Sequence, residues 1–170
     1  MNEFIITLGE ITSGKNYFSF NIKDQFFEDF NFSDIKHAEI SANARITKSG
    51  ENLTLSLVVN GKINQLACDV CAEELSVKVS GETNIIIKTT EQEKESPDEI
   101  FYIKKNGNKI DLKQLIFELI VLNAPKKQQH PLDENGNNTC NQEMINLVKK
   151  YTQPKKQASD ARWDALKNLK

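Results

Sequence analysis

Hydrophobic and polar residues alternate along much of the first 90 residues, which is the pattern of half-buried β-strands. The alternation is clearest from Leu53 to Val59 and returns after residue 74. The pair Asn60-Gly61 favours the positive φ angles of a tight turn, so the sequence predicts a hairpin at that point. Gly81 interrupts the later alternation, which predicts a β-bulge there.

The pattern changes to a helical period at Asp111. We predict a helix over residues 111–122, with Asp111 capping its first turn, Gln114 as the capping-box partner, and Asn123 and Pro125 ending it. Most positions of this helix are apolar, so it should pack against the sheet. The sequence therefore predicts an α+β fold, in which an antiparallel, strongly curved sheet or partial barrel is covered by this helix.

The chain becomes more polar after this helix. A loop begins at Lys126, and a second amphipathic helix is predicted to start near a Thr139-x-x-Gln142 capping box. The apolar face of that helix consists of Met144, Leu147, Val148 and Tyr151. We predict two parts: a globular body over residues 1–125, and a polar loop with a helical basic tail over residues 126–170.

The composition describes a folded protein that does not enter a membrane. Of the 170 residues, 38% are hydrophobic and 27% are charged, which fits one domain with a polar appendage. No apolar run approaches the roughly 18 residues of a transmembrane helix. The start of the chain, MNEFIITLGEITSGK, lacks the basic first region of a secretory signal. Three cysteines, an odd number, argue against a disulfide framework, so we expect a cytoplasmic protein.

Charge is distributed unevenly along the chain. Residues 123–170 carry nine Lys or Arg and five Asp or Glu, which gives +4, whereas the preceding 122 residues carry −6. A basic tail on an acidic body can guide association with an anionic partner such as RNA. A solvated surface is an equally good interpretation of the charge alone. The candidate contact residues for rRNA or another partner are Lys126, Lys127, Lys155, Lys156, Arg162 and Trp163.

Cys68 and Cys71 form a C-x-x-C pair at the predicted corner between two antiparallel strands. A redox pair normally places its first thiol at a helix N-terminus, whereas this pair follows a strand and Asp69 opposes a thiolate. A structural zinc site needs four ligands, and the remaining candidates are His130 and Cys140, with nine residues between them. Spacing alone favours two buried thiols that shape a corner, with a zinc site as the alternative.

The sequence contains no recognisable catalytic motif. It has no phosphate-binding glycine loop, no G-x-S-x-G, and no G-x-G-x-x-G after a strand. The two histidines, His37 and His130, stand in no acid–base or nucleophile arrangement. We therefore expect neither enzymatic activity nor a small-molecule substrate.

Three motifs follow one another in a specific order: GKINQLACDVCAEEL, then KIDLKQLIFELIVLNAPKKQQHP, and finally DARWDALKNLK. This order resembles the YceD-like family, also called large ribosomal RNA subunit accumulation proteins. Many members of that family carry a second cysteine pair after the helix, where this chain has His130 and Cys140. The positions that match the family pattern are Cys68, Cys71, Ile110, Asp111, Leu112, Glu118, Pro125, Asp160, Arg162 and Leu166.

The resemblance implies a bacterial, cytoplasmic, non-enzymatic factor that supports 23S rRNA accumulation and large ribosomal subunit biogenesis. Its partner would be rRNA or a large-subunit assembly intermediate. No cofactor is required for this role, and zinc is an open alternative. Two further hypotheses remain: an adaptor that binds a ribosomal protein or RNA-processing enzyme through Trp163, and a small zinc-stabilised module.

Overall fold

The computed structural model describes residues 3–32, 35–90, 100–104 and 107–152. Strands predominate in these ranges, and none of their helices is long and apolar enough to cross a membrane. The predicted α+β class is confirmed. In chain order the elements are β1 (Ile5–Thr7), a 3₁₀ helix (Leu8–Glu10), β2 (Gly14–Ile22), α1 (Asp24–Glu28), β3 (Ala38–Ser49), β4 (Asn52–Ala67), β5 (Glu74–Thr90), β6 (Ile100–Lys104), β7 (Lys109–Asp111), α2 (Lys113–Asn123) and α3 (Gln142–Thr152).

The chain forms two compact units. The first, here called the sheet unit, comprises Met1–Ala67 and Glu74–Gln128. The second, here called the cysteine unit, comprises Cys68–Glu73 and Gln129–Lys170. The predicted boundary after residue 125 stays a prediction.

The sheet unit contains an open five-stranded sheet in the order β2-β3-β4-β5-β6. Neighbouring strands from β2 to β5 are antiparallel, as predicted, whereas β6 lies parallel to β5. Strands β1 and β7 form a separate two-stranded antiparallel sheet. Closure of the main sheet toward a partial barrel stays a prediction.

The core of the sheet unit lies on one face of the main sheet. Alternate side chains of the central strands are buried there, including Ile46 of β3 and Leu57 of β4, both at 0% exposure. Helix α2 contacts β4 and β5, and its Ile116 and Ile120 are also fully buried. The prediction that this apolar helix packs against the sheet is confirmed.

Helix α2 starts two residues later than predicted. Asp111 belongs to β7, where it pairs with Ile5, and its carboxylate accepts a hydrogen bond from the Lys113 backbone N–H at 2.9 Å. The proposed capping-box partner Gln114 instead donates to the Glu118 carboxylate at 2.7 Å. The predicted capping box is therefore wrong, because the β1–β7 pairing holds Asp111 in a strand.

The predicted hairpin at Asn60-Gly61 is also wrong. Strand β4 continues through both residues, and Gly61 lies between Ile40 of β3 and Val79 of β5. A Cβ added to Gly61 would lie 2.2 Å from the Glu39 carbonyl oxygen, so only glycine fits this close backbone approach.

The predicted bulge lies elsewhere in the sheet. The register between β4 and β5 shifts between Ile63 and Leu66, where Gln65 has a φ of 55°. Gly81, the predicted bulge position, pairs regularly with Val59. A Cβ on Gly81 would lie 2.5 Å from the Asn123 side chain, so this glycine also marks a close approach.

The cysteine unit contains α3, whose N-terminus is capped by Asn141. The Asn141 side-chain oxygen accepts the backbone N–H of Glu143 at 2.9 Å and of Met144 at 3.3 Å. The Thr139 hydroxyl donates to the Pro131 carbonyl at 2.6 Å, so the predicted Thr139–Gln142 capping box is wrong. No residue of α3 is buried, and its exposed apolar side chains are Leu147, Val148 and Tyr151.

Candidate metal centre

The six-residue connection between β4 and β5 holds the C-x-x-C pair, as predicted. The Cys68 backbone N–H donates to the Glu73 carbonyl at 2.8 Å, and the Ala72 N–H donates to the Cys68 carbonyl at 2.8 Å. Ala72 adopts a φ of 58°, which turns the chain back toward β5. Both thiols are buried, at 3% and 2% exposure for the two cysteine residues. Both cysteines of the pair are therefore buried within the connection between the two strands.

A short hairpin-like loop supplies the other two candidate ligands. The Asp133 carboxylate accepts the backbone N–H groups of Asn135 at 2.9 Å and Asn137 at 2.7 Å, and the Asn137 side-chain amide at 3.0 Å. The hydrogen bonds from Asn137 lower the pKa of the Asp133 carboxyl. The loop brings His130 and Cys140 together, with 3.6 Å between His130 Nδ1 and Cys140 Sγ.

This loop explains why the nine intervening residues are compatible with one site. Leu132 and Asn138 form an antiparallel bridge, and the Gly136 N–H donates to the Asp133 carbonyl at 3.0 Å. Spacing alone did not reveal this arrangement. The signal in the sequence is DENGN, because aspartate and asparagine side chains bond to nearby backbone groups and Gly136 supplies a positive φ of 81°.

The structure brings all four predicted metal ligands together. Cys68 Sγ lies 3.6 Å from Cys140 Sγ, and Cys71 Sγ lies 3.4 Å from His130 Nδ1. All four ligand atoms lie within 4.8 Å of one another. In a tetrahedral zinc site, bonds of about 2.3 Å to sulfur and about 2.0–2.1 Å to nitrogen place ligand atoms roughly 3.4–3.8 Å apart. The Cys₃His set therefore has the donor chemistry and the compactness that zinc requires.

The electrostatics of the cluster also favour a cation. Burial raises the pKa of the Cys68 thiol, but backbone N–H groups of Cys71 and Val70 outweigh it and bring this pKa to about 6. Burial and the neighbouring Cys68 sulfur raise the pKa of Cys140 to about 11. One thiolate thus opposes ionisation of the next thiol, and a bound divalent cation would remove that conflict.

A polar contact joins the two sequence segments of the cysteine unit. The Asn141 side-chain amide donates to the Glu73 carboxylate at 2.7 Å, one residue after Cys140 and two residues after Cys71. Asn141 therefore caps α3 and bonds to the C-x-x-C turn with the same side chain. Sequence reasoning missed Asn141, and an asparagine directly before the apolar periodicity of α3 is the signal that could have found it.

The predicted partner-contact residues divide into two groups. Lys126 and Lys127 are exposed in the segment after α2. The other four, Lys155, Lys156, Arg162 and Trp163, lie outside the described residues.

Comparison with known proteins gives one family. A family model described as "Large ribosomal RNA subunit accumulation protein YceD" matches residues 55–170. No curated protein and no solved structure matches the chain. The matched range includes the four residues of the candidate metal centre and all of α2 and α3.

Proposed function

Because the chain belongs to the family of large ribosomal RNA subunit accumulation proteins YceD, we propose that it supports accumulation of 23S rRNA during large ribosomal subunit biogenesis. The match over residues 55–170 is the observation that carries this proposal. The proposed role is that of a cytoplasmic, non-enzymatic factor that contacts rRNA or an assembly intermediate.

The test of this role is the amount of 23S rRNA in cells that lack the protein. We expect a reduced ratio of 23S to 16S rRNA and fewer mature large subunits, both restored by the full chain expressed in trans. Unchanged rRNA ratios in the deletion strain during fast growth would contradict the proposed role. An unrelated soluble protein expressed from the same vector is the control for nonspecific effects of expression.

We further propose that the cysteine unit holds one zinc ion through Cys68, Cys71, His130 and Cys140. The ligand distances and the opposed thiol pKa values support this site. The zinc would neutralise thiolate charge and connect the C-x-x-C turn to the loop before α3. Hydrogen bonds of the protein itself hold the surrounding segments in place. Asp133 accepts the Asn137 backbone N–H within the loop before α3, and Asn141 donates to Glu73.

Metal analysis of protein purified without chelator tests the zinc site. We expect about one zinc per chain, as in structural Cys₃His sites, and loss of that zinc in His130→Ala. The chain offers a matched control in its other histidine, since His37 is exposed and belongs to the sheet unit. His37→Asn should keep its zinc, because asparagine tolerates the positive φ of 53° at this position. Equal metal content in His130→Ala and His37→Asn would exclude the proposed site.

The basic C-terminal segment is the proposed contact to rRNA in assembly particles. Lys149 and Lys150 are exposed in the last turn of α3, and the segment that follows adds further cations. Phosphate contacts by Lys and Arg weaken steeply as salt increases. Deleting residues 153–170 should therefore reduce co-sedimentation with large-subunit precursors at low salt. A full-length Lys155→Gln, Lys156→Gln, Arg162→Gln variant separates loss of charge from loss of the segment.

The exposed apolar face of α3 supports a second candidate, an adaptor that binds a ribosomal or RNA-processing protein. Leu147 and Val148 are 45% and 44% exposed, and Tyr151 is 78% exposed. In this hypothesis Trp163 belongs to the same docking segment. Trp163→Ala would then abolish a protein partner and leave binding to naked rRNA intact, whereas loss of rRNA binding would favour direct contact.

A further inference from the structure

The main sheet has a second face, which α2 does not cover. We call this the outer face and define it by the outward positions of four strands: odd residues 15–21 in β2 and 39–49 in β3, and even residues 52–62 in β4 and 74–88 in β5. Tyr17, Arg45, Ser56 and Asn84 lie side by side in one row across these strands. The outer face belongs entirely to the sheet unit.

Tyr17 and Arg45 are the two distinctive side chains of this face. Tyr17 is 71% exposed, so its ring is accessible to a ligand. Arg45 is directly opposite Tyr17 in the β2–β3 ladder and is also exposed. No ion pair or hydrogen bond joins the Arg45 guanidinium to another residue in the described part of the chain. In such a pair the aromatic ring can stack on a base while the neighbouring guanidinium contacts a phosphate.

The charge of the outer face is opposite to that of the region that contains it. Its outward positions carry five cations and three carboxylates, a net charge of +2, within a 122-residue segment of net charge −6. One of the three carboxylates, Glu39, already pairs with Lys62 at 3.2 Å. The charged positions are Lys15, Arg45, Lys62, Lys78 and Lys88, and Glu39, Glu74 and Glu82.

Most side chains near the centre of the face are uncharged, and the carboxylate of Glu82 lies in the row that starts at Ser19, next to the row of Tyr17. The row of Tyr17 and the adjacent row, which starts at Lys15, contain no carboxylate on β2 to β5. Their remaining side chains are hydroxyls, one amide and Ile86. Two open clefts of about 400 Å³ and about 180 Å³ lie on this face, and Arg45 and Ser56 line both of them. Tyr17, Val58 and Glu82 also line the larger cleft. The face therefore combines an exposed aromatic ring with hydrogen-bonding groups and positive charge, which are the features that bind single-stranded nucleic acid.

We propose that the outer face binds single-stranded RNA, with Tyr17 stacked on a base and Arg45 and Lys15 contacting phosphates. The hydroxyl and amide side chains of the central rows then contact base edges and 2′-hydroxyls. This inference rests on the proposed rRNA role and assigns that role a second contact surface, separate from the basic C-terminal segment. Unpaired bases are accessible only in single strands and loops, so the face should discriminate against duplex RNA.

Fluorescence anisotropy with the full chain tests the proposal, using a single-stranded RNA of 12 nucleotides and a duplex of the same sequence. Tyr17→Ala and Arg45→Gln should each weaken single-strand binding by about tenfold, since one base stack or one phosphate contact contributes on this order. Tyr17→Phe keeps the ring and Arg45→Lys keeps the charge, so both should retain most of the affinity. Lys109→Ala, an exposed cation of β7 outside the main sheet, is the control.

Unchanged affinity in Tyr17→Ala and Arg45→Gln would overturn the proposal, as would equal affinity for the duplex. Loss of a protein partner in these variants without loss of RNA affinity would overturn it too, and would assign the face to a protein. The ratio of 23S to 16S rRNA in cells tests the proposed rRNA role independently of this binding experiment. If the full chain fails to restore that ratio, the rRNA role fails whatever the oligonucleotide shows.

Discussion

The sheet unit and the cysteine unit bury different kinds of side chain. In the sheet unit, buried aliphatic and aromatic side chains fill the space between the sheet and α2. Among the described residues of the cysteine unit, Cys68, Cys71 and Cys140 are the only buried ones, and α3 buries none. The sheet unit therefore has its own hydrophobic driving force, whereas the described part of the cysteine unit has polar contacts and the proposed zinc site in place of an apolar core.

Of the tests of this comparison, removal of the metal should have the largest effect, because it should unfold one unit and not the other. With a zinc-specific chelator, we expect the cysteine unit to unfold locally while the sheet unit remains folded, because zinc binding is the main source of stability in a small unit without an apolar core. Hydrogen exchange should show about a hundredfold loss of amide protection in α3, a fall that corresponds to only part of a typical zinc-binding free energy.

The interior of the sheet unit is the control region in that measurement. Amides of β3 and β4 should keep their protection in the chelator, and readdition of zinc should restore protection in α3. Parallel loss of protection in β3 and β4 would show that the two units unfold together, and would contradict the claim that the sheet unit is stable by itself.

Two substitutions, one in each unit, should show that the stability of the sheet unit and the zinc content of the cysteine unit change independently. Phe27 is fully buried and contacts Phe26 edge to face at 5.3 Å, so Phe27→Ala should lower the free energy of unfolding by about 3–5 kcal/mol. Zinc content should stay unchanged in this variant. Cys140→Ser should do the reverse, with loss of zinc and little change in the main unfolding transition.

Urea unfolding monitored by circular dichroism, together with metal analysis, measures both quantities. Tyr151→Ala is the matched control for the aromatic deletion, because Tyr151 is 78% exposed. If Cys140→Ser lowered the main transition as much as Phe27→Ala, the sheet unit would depend on the metal as well.

The glycines of the main sheet give a smaller and more local test. Gly61→Ala would place a methyl group 2.2 Å from the Glu39 carbonyl oxygen, a backbone atom that can move only with β3. We expect a loss of about 1–3 kcal/mol, as for other overpacked sites. Gly81→Ala meets the Asn123 side chain, which can rotate away, so its cost in the same urea titration should be lower. An equal or larger cost at Gly81 would mean that the Asn123–Leu119 hydrogen bond of 2.8 Å is an essential part of the packing.

Gly61 also shows where sequence reasoning was least reliable. Local patterns correctly predicted the strand periodicity around Leu57 and the apolar helix around Ile116, because burial on one face imposes those periods directly. Asn60-Gly61 carries the composition of a turn, but the requirement for glycine came from the neighbouring strand β3. A contact between residues distant in sequence leaves no local pattern, so the turn prediction failed.

The candidate metal centre was likewise predictable from the sequence only in part. Residue chemistry alone identified all four candidate ligands, because structural zinc sites use cysteine and histidine and this chain has only three cysteines and two histidines. Their proximity depended on the local hydrogen bonds to Asp133 within the loop before α3, and on the bond from Asn141 to Glu73, which joins segments distant in sequence. The capping boxes at Asp111 and Thr139 failed for the same reason, since strand pairing and loop contacts had already engaged these residues.

Acid titration of the sheet unit should give the smallest effect. The Asp24 carboxylate at the start of α1 accepts the Ala38 backbone N–H at 2.8 Å, and this bond lowers the pKa of Asp24 below its usual 3.8. A lowered pKa means that the ionised form favours the folded state, so the contribution is complete above pH 3.8 and is lost as the pH falls through the lower folded value.

Asp24→Asn removes this ionisation and keeps a side-chain oxygen. The difference in unfolding free energy between the two proteins should stay below about 1 kcal/mol, remain constant from pH 7 to about pH 5, and shrink toward pH 2. A difference that grows in acid would mean that the Asp24–Ala38 contact is not what joins α1 to the start of β3.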